Sequence, residues 1–326
     1  MMLTDKLAHV SIAHLPTPLE PLSRLTAQLG GPELWIKRDD QTGLATGGNK
    51  ARKLEFLVAD ALAQGADALI TAGAAQSNHA RQTAAAAAKF GLVCTLTLRG
   101  EEPPLVQGNL LLDRLLGAEV FWAGSRPLGE TMAQVADELQ AAGHRPYVVP
   151  YGGSNPIGAS GYAAAMEEVL AQGAERDLHF DHIVLASSSG GTQAGLMVGA
   201  RALAYEGRVL GISVDPEAGT LRHRLADLAT ATADHLGLAL AFAPEDFYVD
   251  DGYLGGGYGV VGELERAAIR TLARAEGVLL DPVYTGRAFG GLLDLVRRGE
   301  VGRHERVLFW HTGGTAGVFG YGEEAI

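Results

Sequence analysis

HIVLASSSGGTQAGLMVGARA, running from His182 to Ala202, opens with a short apolar run, turns through three serines and two glycines, and continues at helical length. Residues 182–186 predict a strand, and residues 192–204 predict the helix that follows it. Between them, Ser187, Ser188, Ser189, Gly190, Gly191 and Thr192 form a loop suited to a phosphate. Glycines let the backbone approach an anion, successive amides point inward, and a helix N-terminus adds a favourable field. An ordinary turn fits the same residues. The loop lacks the lysine of a nucleotide P-loop and the spacing of a dinucleotide fingerprint, so ATP and NAD are poorly supported.

The same rhythm repeats on both sides of this segment. Strands are predicted at 34–37, 68–71, 93–98, 147–149, 209–213 and 307–311, and helices at 51–64, 79–90, 131–142, 156–172, 261–276 and 287–298. Alternation of this kind predicts an α/β fold with parallel sheets covered by helices, because parallel neighbours need a crossover connection. Ligands then gather at strand carboxyl ends. A chain of 326 residues exceeds what one undivided core usually holds, so two lobes flanking a cleft are expected.

Composition narrows the function classes. With 47% hydrophobic and 20% charged residues the chain is ordinary globular material. A formal net charge of -12, without any lysine- or arginine-rich run, gives no footprint for nucleic acid or an anionic membrane. A single cysteine, Cys94, allows no intramolecular disulfide and no cysteine cage for a metal, and its apolar surroundings predict a buried core thiol. His223, His235 and His304 show no metal-ligand spacing, so no metal is expected. The first residues lack the basic start and apolar core of a signal peptide, and no apolar run approaches a membrane span, so a cytoplasmic protein is expected.

Several polar segments sit where ligands should gather. Lys50 stands at the start of a helix, beside Arg52 and Lys53, after Thr46, Gly47, Gly48 and Asn49. The macrodipole there disfavours the charged amine and favours a reactive neutral one, although a solvated lysine fits equally. Gln76, Ser77, Asn78 and His79 precede an alanine-rich helix, where Ser77 or Asn78 could cap it and also present donors to a carboxylate. Asp281 to Gly286 contains Tyr284, and His311 to Thr315 follows an apolar run; a tyrosine bonded to a carbonyl and a core histidine are the simpler readings of each alone. Gly255, Gly256, Gly257, Tyr258 and Gly259 predict a mobile loop carrying a tyrosine toward the cleft.

As an ordered set, residues 15–19, 36–40, 47–57, 76–82, 152–155, 190–195, 279–286 and 311–314 resemble the D-cysteine desulfhydrase and 1-aminocyclopropane-1-carboxylate deaminase family. That family lies within the tryptophan synthase β-like, fold type II group of pyridoxal-phosphate enzymes. The resemblance implies that Lys50 holds pyridoxal 5'-phosphate as a Schiff base, that Asn78 meets the ring hydroxyl, and that Ser189, Gly190, Gly191 and Thr192 hold the phosphate. It implies that Ser77, with Asn78 and His79, receives the carboxylate of a small amino-acid substrate, and that Tyr258 and Tyr284 assist proton transfer. It further implies a large cofactor domain of residues 1–53 with 163–326, a small domain of 54–162, and a homodimer.

The two branches of the family differ beside the pyridine nitrogen. The deaminases carry a glutamate and a leucine where this chain has Thr285 and Thr312. A carboxylate there favours the protonated ring and strengthens it as an electron sink, which threonine does not do by charge. A weaker sink suffices for losing thiolate, so the threonines favour a lyase acting on D-cysteine to give pyruvate, ammonia and hydrogen sulfide. The alternatives are cyclopropane deamination to 2-oxobutyrate and a sulfo-lyase acting on L-cysteate. Residues 99–107 form a shorter stretch than desulfhydrases have, and Ser188 replaces a usual glycine.

Overall fold

The computed structural model describes residues 3–325. In chain order its elements are β1 (Leu19–Pro21), α1 (Ser23–Leu29), β2 (Glu33–Arg38), α2 (Lys50–Ala63), β3 (Ala68–Gly73), α3 (Asn78–Phe90), β4 (Val93–Leu98) and α4 (Gly108–Leu115). Next come β5 (Glu119–Trp122), α5 (Leu128–Ala141), β6 (Pro146–Val148), α6 (Pro156–Ala174), β7 (His182–Ser187), α7 (Gly191–Ala202) and β8 (Arg208–Ser213). The chain closes with α8 (Ala218–His235), β9 (Tyr248–Asp250), α9 (Glu263–Glu276), α10 (Thr285–Arg297), β10 (Arg306–His311) and α11 (Thr315–Tyr321).

Two sheets result. One has six strands in the order β1-β2-β10-β7-β8-β9, the other four in the order β5-β4-β3-β6. All neighbours run parallel except β1, which pairs antiparallel with β2 as an edge. This edge strand is not among those the sequence predicts, because three residues ending at Pro21 are too short to show a period.

Central strands are covered on both faces, which explains their continuous apolar runs. Along β10, Val307 and Phe309 face a core shared with α9 and α10, while Leu308 and Trp310 face one shared with α6 and α7. Truncating a fully buried aromatic such as Trp310 to alanine costs on the order of 3–5 kcal/mol. In the smaller sheet, Leu69, Leu96 and Cys94 pack against Leu54, Leu57 and Val58 of α2 and the alanines of α3. Burial pushes the Cys94 thiol up to about 12, so it is an inert core group. Helix α8 escaped sequence reading because its buried face is mostly Ala226, Ala229, Thr232 and Ala233, small residues that give a weak apolar period.

A buried charge cluster fixes where α2 begins. Arg52 Nε donates to Asp39 Oδ2 at 3.0 Å and its Nη2 to Glu168 Oε1 at 2.9 Å. Asp39 also accepts from Tyr162 at 2.6 Å and from Trp310 Nε1 at 2.8 Å, while Lys37 donates to Glu168 at 2.5 Å. Breaking one partner of such a pair leaves an uncompensated buried charge, about 3–5 kcal/mol. The network therefore pins the helix two residues after Lys50 to β2, α6 and β10. Among the described residues no helix is long and apolar enough to cross a membrane.

Candidate active site

A cleft opens where the carboxyl ends of β3, β7 and β10 meet the start of α2. Lys50 lines it as the first residue of α2, and its Nζ donates to Asn49 Oδ1 at 3.2 Å. Asn49 in turn donates from Nδ2 to Thr192 Oγ1 at 3.0 Å, tying the start of α2 to that of α7. Burial lowers the Lys50 amine to about 8, against an opposing pull from the Asp281 carboxylate. The direction is the one the sequence predicts, and desolvation is the leading cause.

The loop after β7 bends into α7 through Gly190, at φ 93°. Ser189, Gly190 and Thr192 line the cleft; Gly191 lies behind them, its amide donating to Ser154 Oγ at 3.1 Å. Lys53 was read only as a neighbour of Lys50, yet its Nζ lies 2.9 Å from where a Cβ on Gly191 would stand. It is 1% exposed and, among the described residues, donates only to Gly152 O at 3.1 Å and Ser154 Oγ at 3.4 Å. Burial, reinforced by Lys50, drives this amine well down. A buried ammonium without an anion is costly, and a phosphate in the loop supplies the missing charge. A side chain at 191 would strike Ser154 Oγ and Lys53 Nζ, at 2.6 and 2.9 Å. The cradle therefore fits a phosphate monoester, and the signal for Lys53 was its i+3 position on the face that carries Lys50.

Across the cleft, Ser77 caps α3, its Oγ accepting from Ala80 N at 3.1 Å, and also lines the cavity. Asn78 Oδ1 accepts from Asn109 Nδ2 at 2.9 Å. His79 Nε2 meets Thr71 Oγ1 at 2.8 Å, and Thr71 Oγ1 also lies 2.9 Å from Val149 O, so the ring is held by β3 and the segment after β6. Burial, then Lys50 and Lys53, hold the ring neutral. His79 thus carries no positive charge at the cleft.

Tyr284 lines the cleft and caps α10; its hydroxyl touches that of Tyr258, with ring centroids 5.9 Å apart, edge to face. Burial pushes both phenols up. Tyr258 reaches the cleft through this contact rather than by lining it. The stretch 255–259 is not the free loop expected from its glycines, because Arg287 bonds to the carbonyls of Gly257 and Val260. Tyr151, missed in the sequence, also lines the cleft, immediately before Gly152.

Thr312 lines the cavity, whereas Thr285 does not. The Thr285 hydroxyl donates to Asp281 Oδ1 at 2.7 Å and accepts from Asp281 N at 2.8 Å. Asp281 is 1% exposed and also accepts from Val283, Tyr284 and Thr285 amides at 2.7–3.0 Å, building the N-terminus of α10. His311 serves the core, with Nε2 on Leu279 O at 3.0 Å.

The family model described as "Pyridoxal-phosphate dependent enzyme" matches residues 10–313. A Yersinia enterocolitica D-cysteine desulfhydrase is 46% identical over 330 residues, covering 98% of this chain and 99% of its own. A Pyrococcus furiosus protein provisionally named a 1-aminocyclopropane-1-carboxylate deaminase is 42% identical over 327 residues, covering 99% of this chain and 97% of its own. The solved structure of an ACC deaminase homologue superposes with TM-score 0.91 at 41% identity, over 99% of this chain and 97% of that one. With a family match over residues 10–313 and likeness to these relatives along almost the whole length, this chain belongs to the pyridoxal-phosphate dependent enzymes, among the D-cysteine desulfhydrase and 1-aminocyclopropane-1-carboxylate deaminase relatives.

Proposed function

We propose that this enzyme eliminates the β-substituent of D-cysteine, converting D-cysteine and water to pyruvate, ammonia and hydrogen sulfide. The observation that supports it most is the cleft wall: an amine, hydroxyls, amides and an imidazole face the cavity, Thr312 among them, and among the described residues no carboxylate does. In this reading Ser189, Gly190, Gly191, Thr192 and Lys53 hold the cofactor phosphate, Asn78 its ring hydroxyl, and Lys50 its aldehyde. Bound there, the cofactor supplies an aldehyde that condenses with amines and a ring that accepts electron density from the α-carbon.

The chain's own groups then have separate tasks. Ser77 Oγ–H and the amides opening α3 hold the substrate carboxylate, orienting the α C–H bond toward Lys50 Nζ. Lys50, lowered to about 8 by burial, takes the α-proton as base. Tyr284, with Tyr258 behind it, keeps a protonated hydroxyl because burial disfavours phenolate, and gives a proton to the departing sulfur. The reading divides the chain into residues 1–53 with 163–326 and residues 54–162, with the cleft between.

Cyclopropane deamination is the second reading, favoured by one observation. Asp281 sits 2.7 Å behind the Thr285 hydroxyl, placing a buried carboxylate one bond removed from where the deaminase branch carries glutamate. Incubation of the purified holoenzyme with each substrate separates them. Sulfide and pyruvate from D-cysteine support elimination; 2-oxobutyrate from the cyclopropane, without sulfide release, rejects it.

A further inference from the structure

Arg287 lies in the first turn of α10, three residues beyond Tyr284, and is 1% exposed. Its Nε donates to Glu265 Oε1 at 2.6 Å, at the start of α9. Its Nη1 donates to Val214 O at 3.1 Å and to Gly257 O at 3.2 Å, and its Nη2 to Val260 O at 2.9 Å. The second Glu265 oxygen accepts from Gly262 N at 2.8 Å. One guanidinium thus holds a carbonyl on each side of Tyr258.

The held segment needs such a grip. Gly255, Gly257 and Gly259 have φ of 57°, 109° and 76°, so the chain runs through left-handed turns that no helix or strand enforces. Glycine loses more freedom on ordering than any other residue. Tyr258 sits among them, and its hydroxyl must meet Tyr284 at the cleft. The circuit closes on itself: the start of α10 presents Tyr284 and, through Arg287, grips the loop that presents Tyr258. A buried ion pair is weak evidence for stability alone, since well-packed apolar residues often replace one without loss. What the guanidinium offers here is a rigid fan of donors.

We propose that Arg287, oriented by Glu265, is a positioning residue that fixes Tyr258 against Tyr284 for proton transfer. This rests on the reading of the two tyrosines given above. Arg287 touches neither the substrate cleft nor its contents, so it acts only through the loop. Misplacing Tyr258 by about 1 Å lowers turnover on the order of 10- to 100-fold.

The test uses holoenzyme carrying Arg287→Gln and Arg287→Lys, with Glu265→Gln as a milder variant should the first fold poorly. Hydrogen exchange of the amides in 254–260 is measured beside kcat and KM for D-cysteine, each in the wild-type and Tyr258→Phe backgrounds. Expected are faster loop exchange in all three variants and retained visible cofactor absorbance. The kcat loss should be about 10- to 100-fold with KM nearly unchanged, shrinking to at most about twofold once Tyr258 is phenylalanine. Lysine should recover part of what glutamine loses. Unchanged loop exchange overturns the proposal, and so does an equal kcat loss in both backgrounds. If the wild type turns over neither D-cysteine nor the cyclopropane, the reading of the reaction fails by itself, and the exchange result still decides whether Arg287 holds the loop.

Discussion

The two walls of the cleft are built by different means. The phosphate side is local: a strand end, two glycines and a helix N-terminus within residues 187–192, with Lys50 and Lys53 one turn apart on α2. The tyrosine side is assembled at long range: Tyr258 and Tyr284 lie 26 residues apart, joined by hydroxyl contact and by the hold of Arg287 on the carbonyls of Gly257 and Val260. The first wall is a property of backbone motifs, and the second of side-chain bonds that exist only after packing. Changes to the first should act on cofactor binding, and changes to the second on turnover with the cofactor still in place.

The largest effect belongs to the first wall. Lys50→Ala should abolish the visible absorbance of cofactor bound through that amine and lower turnover by about 10³-fold or more. Persistence of the absorbance after dialysis would remove Lys50 from its assigned place. Next is Lys53→Met, which takes away the buried amine that lacks a carboxylate. Cofactor affinity should fall about 10- to 100-fold, read by absorbance titration, while the cofactor-free protein melts no earlier than wild type, since an apolar group of similar size replaces a desolvated amine. A lower melting temperature with unchanged affinity would make Lys53 purely structural.

On the second wall, Thr285→Glu with Thr312→Leu should lower D-cysteine elimination about tenfold or more, with cyclopropane deamination rising. Undiminished sulfide release would show that these positions do not set the branch, leaving Asp281 to supply the local charge. The smallest effect is one of pH. Because burial lowers the Lys50 amine to about 8, cofactor uptake by the cofactor-free protein should rise with pH and level off above about 8. An ordinary lysine would keep climbing toward roughly 10.4. The sign for stability follows: the depressed amine weakens the fold below pH 8, and this cost fades as pH rises toward the unfolded value, because the unfolded chain then binds the extra proton.

Much of the first wall was legible before folding was considered. Residues 182–186 followed by Ser187 to Thr192 gave strand, loop and helix in order, and Lys50 sat at a helix start, because these depend on period and on glycine at fixed offsets. Lys53 was lost, since a lysine beside another lysine and an arginine looks solvated until the helix is seen to bury that face. The Thr285 hydroxyl is engaged with Asp281, a partner four residues back that closes only when α10 forms. The glycines of 255–259 signalled freedom, and nothing near them in the chain announces Arg287.

By itself the sequence determined the alternation of strands and helices, the glycine-bearing loop between β7 and α7 and the place of Lys50 at a helix start, because hydrophobic period and backbone permissiveness act over a few residues. Only the tertiary structure decided the antiparallel edge, which lysine lies at the cradle, which threonine faces the cleft, and how two distant tyrosines meet. Those outcomes depend on burial and on bonds across tens to hundreds of residues, and desolvation is not written in any short stretch of chain.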